Sequence, residues 1–249
     1  MKLVLAQLRM ELITLARNYE QLLLVVVIPV GVLLFFGTTD VLPESVDLAR
    51  VVSSVVALSV MSTAMVSLGI ATGFERSYSV LKRIGVTPLG RYRLVWAKAG
   101  AIGVVELAQA ALLLSIAGGL GWSVSDASWW RTVLAMLLGT AAFAGIGLVL
   151  AGRLRAEVNL AAQNGLYLLL LAVGGVMVPT SELPDGLATV ARLLPSGALS
   201  DVLESTINAR SLAGDWWFGL GATTGAWIVL AVWAVVAPAV AGKLFRFDG

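Results

Sequence analysis

Residues 22–36 read LLLVVVIPVGVLLFF. No charge interrupts the run, and apolar and polar residues do not alternate along it. A strand of a membrane barrel would show that alternation in segments of about ten residues, so a helix is the form this stretch takes. A helix also satisfies its own backbone polar groups, which a bilayer core demands of anything that crosses it. The full run covers about Leu22–Gly37, and similar runs follow at about Val51–Gly73, Ala99–Leu120, Thr132–Gly152, Leu160–Val178 and Trp216–Ala241. Each is near the length, about 20 residues, that spans the hydrocarbon as a helix. With 59% hydrophobic and 13% charged residues, the chain is more apolar than a water-soluble core requires. The expected fold is an all-α integral membrane protein, one domain over residues 1–249, with six transmembrane helices.

Lys and Arg then set the orientation. If the N-terminus is inside, the inner segments carry thirteen of the seventeen basic residues, and the outer ones carry only Arg50, Arg131, Arg192 and Arg210. That bias predicts a plasma (inner) membrane protein with both termini in the cytoplasm. Trp122, Trp129, Trp130, Trp216 and Trp217 fall at the outer ends of spans, where amphipathic rings anchor at the headgroups. The formal charge of +2 follows from topology and does not point to nucleic acid.

Two segments do not span. In residues 1–18, Lys2, Arg9, Glu11 and Arg17 break the apolar run, while Leu5, Leu8, Leu12, Leu15 and Tyr19 recur at helical spacing. This predicts an amphipathic helix, either lying on the cytoplasmic face or packing against the cytoplasmic ends of other helices. Residues 179–215 are punctuated by Pro179, Pro184, Gly186, Pro195, Gly197 and Gly214, with helix-like stretches at Leu187–Leu194 and Leu199–Ile207. Two short re-entrant helices between spans 5 and 6, dipping into the outer leaflet and capping a vestibule, fit this pattern.

Chemistry is excluded more readily than assigned. Without Cys or His there are no disulfides, no thiolate or imidazole metal ligands and no Ser/His or Cys/His pair. Gly242-Lys243 is not a phosphate loop, because Ala237 and Leu244 stand where Gly and Ser/Thr are needed. No catalytic residue, metal site or cofactor is therefore expected on this chain. Glu106 is the one ionisable residue well inside a span, with Gln109 three positions on along the same face. A carboxyl at that depth faces the bundle interior, either as a structural hydrogen-bonding group or on a path for cations or protons. Gly69-x-x-x-Gly73 and Gly221-x-x-x-Gly225 have the spacing that lets helices approach closely.

The segment FERSYSVLKRIGVTPLGRYRLVWAK, residues 74–98, holds six of the seventeen basic residues between two spans. Phe74, Leu81, Ile84 and Leu89 have no hydrocarbon to enter there, so a protein cleft is their expected destination, with Glu75, Lys82 and Arg83 at its rim. Pro88 disfavours helical geometry at Thr87 and ends any short helix at that point.

Glu75-Arg76, Leu81-Lys82-Arg83, Val86-Thr87-Pro88-Leu89, Arg91 and Lys98 together resemble the corresponding loop of the ABC-2 type transporter permeases, the membrane subunits of ATP-driven exporters. Further points of resemblance are the amphipathic start, Pro29, the turn from Arg153 to Asn164, and the outer pattern Pro179, Glu182, Leu183-Pro184, Leu194-Pro195. Ser77, Tyr78, Ser79 and Val80 depart from the acidic residue, Gly and Thr that the family commonly has, which suggests docking tuned to a dedicated partner.

The resemblance implies that 74–98 is a coupling loop seated on an ATPase. It implies two ATPase subunits, a second permease chain, identical or homologous, and ATP and Mg held by the partner alone. It further implies export of hydrophobic or amphiphilic small molecules, drug or lipid-like. A polysaccharide or glycolipid exporter and a proton-coupled secondary transporter working through Glu106 stay open.

Overall fold

The computed structural model describes residues 2–39, 41, 46–80, 90–123, 127–177, 183–212 and 221–244. They form helices joined by turns: α1 (Lys2–Arg17), α2 (Tyr19–Thr38), α3 (Leu48–Ser77), α4 (Gly90–Gly119), α5 (Trp129–Arg153), α6 (Ala156–Val173), α7 (Asp185–Leu193), α8 (Pro195–Ile207) and α9 (Ala222–Leu244). Among the described residues, five helices are long and apolar enough to cross a membrane: α3, α5, α6, α9 and the Ala97–Gly119 part of α4. In α2 the apolar stretch is the shorter Val25–Thr38.

α3 is the central helix. Val51, Val52, Val55, Val56, Val60, Met61, Ala64 and Met65 are all buried, and α2, α4, α5, α6 and α8 pack around them. Asp47 caps its start by accepting from the Arg50 amide (3.0 Å), which satisfies one of the orphan donors of a helix N-terminus. At Ser62–Ser67 the helix widens into one π-helical turn. Such turns occur mostly as single-turn bulges, frequently at functional sites. The Met65 carbonyl faces Gly147 of α5, where a Cβ would lie 2.7 Å from it.

The glycines play different parts from those their spacing predicts. Gly69 and Gly73 make room for side chains of α6: a Cβ would lie 2.1 Å from Gln163 Nε2 at the first and 2.4 Å from Asn159 Nδ2 at the second. Gly221 has open space around its Cβ position. Backbone does approach backbone at Gly145 of α5, where a Cβ would come within 2.5 Å of the Ala237 carbonyl carbon and Pro238 nitrogen of α9.

Several boundaries move. α4 is already helical at Gly90 and α3 stays helical to Ser77, so the connection is residues 78–89, and Arg91, Arg93 and Lys98 sit on a helix rather than in the 74–98 loop the sequence suggested. Charged residues are compatible with helix beyond the hydrocarbon, and an apolar run marks only the part of a helix that lipid or core surrounds. α6 begins at Ala156, before the predicted Leu160, and α9 begins at Ala222 and extends to Leu244, past the predicted Ala241. α1 packs along α4: Leu8, Leu12 and Leu15 are half-buried, and Leu8 reaches Gly100. Leu5 and Tyr19, on the predicted stripe, point outward.

Candidate functional site

The end of the bundle that carries residues 78–89 has the densest set of predicted site residues. In the last turn of α3, successive residues serve different neighbours, because a helix turns about 100° per residue. Phe74 stacks on Tyr78 with ring centroids 6.1 Å apart. Glu75 Oε1 accepts from Lys98 Nζ at 2.8 Å. Arg76 Nη1 donates to the Ala151 carbonyl at 2.8 Å, in the last turn of α5, where the helix dipole and free carbonyls favour a cation. Lys98 Nζ also donates to Glu11 Oε2 of α1 at 3.1 Å. Only 7% of Lys98 is exposed, so one buried ammonium joins α1, α3 and α4. The connection 78–89 thus joins two helices that are ion-paired to each other, α3 being bonded to α5 through Arg76 and α4 to α1 through Lys98.

Of the predicted coupling residues, Phe74, Glu75 and Arg76 lie on this helix end. Leu81, Lys82, Arg83, Ile84, Thr87, Pro88 and Leu89 lie outside the described residues, as does the side chain of Arg91 in the first turn of α4. Glu11 and the bridging role of Lys98 were not read from the sequence. An acid in a half-apolar terminal helix and a lysine at the mouth of a span are the signals that could have paired them.

Midway along the bundle, Glu106 and Gln109 both face inward, 1% and 4% exposed. Thr140 of α5, whose hydroxyl donates to the Met136 carbonyl at 2.7 Å, is also in hydrogen-bond contact with Glu106 Oε2, while Glu106 Oε1 is buried without a partner. Gln109 reaches two helices: it accepts from Thr63 (3.3 Å) in the π-helical turn of α3 and donates to the Val25 carbonyl of α2. The pair therefore ties α4 to α2, α3 and α5.

At the opposite end, Arg50 of α3 pairs with Asp201 of α8 at 3.5 Å and donates to the Gly175 carbonyl at 2.9 Å. Ser54 and Ser200 donate to the Val176 carbonyl at 2.6 and 3.2 Å, and Ser53 donates to Glu204. Asn208 donates to the Ala49 carbonyl at 2.9 Å and to Glu204 Oε2 at 3.1 Å, and accepts from Trp122 Nε1 at 3.0 Å. Arg210 Nη1 bonds Asp47 at 3.0 Å and Glu204 at 3.4 Å. Burial raises the Asp47 carboxyl, but the hydrogen bonds from Arg210 and the Arg50 amide outweigh it and hold the group below its usual range. Sequence reading had Arg50 only as an outer charge and did not single out Asp201 or Glu204.

These contacts seat α8 inside the bundle. Gly139, ten residues from the start of α5, faces both Leu199 of α8 and Val60 of α3, and Trp233 of α9 donates to the Leu193 carbonyl at 2.9 Å. The turn at Leu194-Pro195 accordingly lies well inside the bundle. From there α8 returns to the end where Ser128 N bonds the Thr206 carbonyl at 2.8 Å. Pro195 occupies the first position of α8, where its missing N–H costs nothing, and Pro184 precedes α7. Leu183 is described, and Pro179 and Glu182 are not.

Among the described residues no group of three or more acidic, His or Cys side chains could hold a metal ion. The profile described as ABC-2 family transporter protein matches residues 38–242. The chain is also 25% identical, over 184 residues, to YvfS of Bacillus subtilis (strain 168), whose name assigns it provisionally to the transport permeases; the match covers 72% of this chain and 75% of that one.

Proposed function

From a chain that belongs to the ABC-2 family of transporter proteins, we propose the following working unit: a permease subunit that exports hydrophobic or amphiphilic small molecules, with ATP hydrolysed by two separate ATPase subunits seated on residues 74–89. It is a multi-pass, non-catalytic membrane subunit. A second permease chain completes the pathway, six helices of each chain span the inner membrane, and both termini face the cytoplasm. α7 and α8 form the re-entrant pair of the outer leaflet.

The observation that carries this reading is the ion-paired base of the connection. A force applied to residues 78–89 reaches α3 and α4 together through Glu75 and Lys98, reaches α1 through Glu11, and reaches α5 through Arg76. A loop retained only to keep charges on one side of a membrane has no need of such bracing. Leu81, Ile84 and Leu89 supply the apolar contacts of the seat, and Lys82 and Arg83 orient it.

Reconstitution with the cognate ATPase tests this. Leu81→Asp is expected to release the ATPase or to uncouple hydrolysis from export, and Lys82→Arg to leave both intact. A Leu81→Asp chain that inserts, retains its ATPase in full and exports at the parent rate contradicts the proposal. Orientation is checked by single cysteines in this cysteine-free chain. An impermeant thiol reagent on intact cells is expected to label positions 44 and 126 and to spare 79 and 249.

A further inference from the structure

A cleft of about 240 Å³ opens between α1, α3 and α4 beside the Lys98 bridge. One part of its wall is charged, from Glu11, Glu75 and Lys98, and most of the rest is apolar, including Leu68, Phe74 and Ile102. Two carboxylates face a single ammonium, so when all three are ionised the cleft keeps one negative charge. Lys98 engages Glu75 through Oε1; Glu75 Oε2 is buried and has no hydrogen-bond partner. Leaving a carboxylate oxygen desolvated and unpaired is costly, and a cation entering the cleft would remove that cost. The stacked rings of Phe74 and Tyr78 line the same cleft as Glu75. Aromatic faces attract organic cations and tolerate the bulk of a substituted nitrogen. Arg76, the nearest basic residue on α3, is turned away to the Ala151 carbonyl.

We propose that this cleft binds an amphiphilic organic ammonium ion, its cationic head at Glu75 Oε2 and the Phe74–Tyr78 pair and its apolar body against Leu68 and Ile102. The inference deepens the export reading above, by giving the amphiphile a positive charge and a place to sit, and rests on it for the meaning of that binding. The site lies within a single chain, beside the ion pair that braces the connection 78–89, so occupancy and coupling share Glu75. A neutral molecule of the same shape would leave the orphan oxygen unpaired and gain nothing from the rings' quadrupole.

Binding is measured on the full chain in phosphatidylglycerol nanodiscs, without ATPase or transport, using benzyltrimethylammonium as probe and its neutral isostere 2,2-dimethyl-1-phenylpropane as control. The ammonium is expected to bind at least about tenfold more tightly than the isostere. Glu75→Gln and, separately, Tyr78→Ala are each expected to weaken it by about tenfold or more. Tyr78 is exposed at a helix end, so its replacement spares the fold. Asp47→Asn, at the other end of the bundle, is expected to leave binding unchanged. Adding phosphatidylethanolamine distinguishes the source of the ligand: competition identifies a lipid amine headgroup as the occupant, and its absence identifies a free solute, both with the chemistry proposed. Equal binding of the isostere, or parent-like binding in both variants, overturns the site. Either result leaves the permease reading standing, whereas intact binding with no ATP-dependent export in the full complex overturns the permease reading alone.

Discussion

Arg50 and Lys98 are both buried cations at the ends of α3 and α4, and their surroundings differ in kind. Arg50 has Asp201 and two backbone carbonyls as partners, in a network that Ser53, Ser54, Ser200 and Glu204 continue through buried positions and half-buried Asn208 extends. Among the described residues, Lys98 has two carboxylates and no backbone partner, and the side chains of those acids are 15% and 26% exposed, beside an open cleft. Redundant bonds to fixed carbonyls make a joint that holds one geometry. A single ammonium shared between partly exposed side chains makes a joint that can transmit a displacement. On the proposed reading the two ends divide the labour: one keeps α8 seated in the bundle, and the other is to pass movement of residues 78–89 to three helices.

Mutations at the two ends should separate these roles. The largest loss of stability is expected from Arg50→Met, which takes the guanidinium away from buried Asp201 and from the Gly175 and Val176 carbonyls. Removing one partner of a buried pair costs about 3–5 kcal/mol, and thermal unfolding in detergent would register it. A melt identical to the parent's would erase the distinction between the two joints. Lys98→Met is expected to cost less, about 1.5–3 kcal/mol for its charged hydrogen bonds, because Glu11 and Glu75 can turn towards water. If it destabilises more than Arg50→Met, the loop end is the rigid one. Ser54→Ala removes one bond to the Val176 carbonyl, at about 1 kcal/mol, leaving Ser200 on the same acceptor.

Asp47→Asn gives the smallest effect, below about 1 kcal/mol, since the Asp47–Arg210 pair is half-exposed and screened by solvent. Its pH dependence has a definite sign. The folded carboxyl titrates below its ordinary value of 3.8, so its contribution is complete above that pH and lost as pH falls through the lower folded value. Parent and variant melts should differ at pH 7 and converge under about pH 4.

Much of the fold was legible because hydrocarbon imposes a simple rule on sequence: the apolar runs located α3, α4, α5, α6 and α9. The ends of those helices were not legible, because Arg91, Arg93 and Lys98 are helical yet lie beyond the apolar stretch. Proline and glycine spacing located α7 and α8 within two residues at α7's start and four at α8's. Nothing local in Leu199–Ile207 announces that nearly the whole of α8 is buried, since Ser200, Asp201 and Glu204 read as a solvated face until Arg50 and Ser53 are placed opposite them. The glycine spacing misled for a related reason: a small residue makes room, and only the partner helix decides whether backbone or a Gln side chain enters it. Glu106 and Gln109 were found because a polar group at mid-span is conspicuous by itself.

The central claim is that Lys98 carries force from residues 78–89 into the spans. The direct test compares export per ATP hydrolysed in proteoliposomes holding the permease with its ATPase, for the parent, Lys98→Arg and Lys98→Met. Lys98→Met is expected to bind the ATPase and support hydrolysis, yet to export about tenfold less per ATP, and Lys98→Arg to stay near the parent. A folded Lys98→Met permease that exports as much per ATP as the parent would contradict the account.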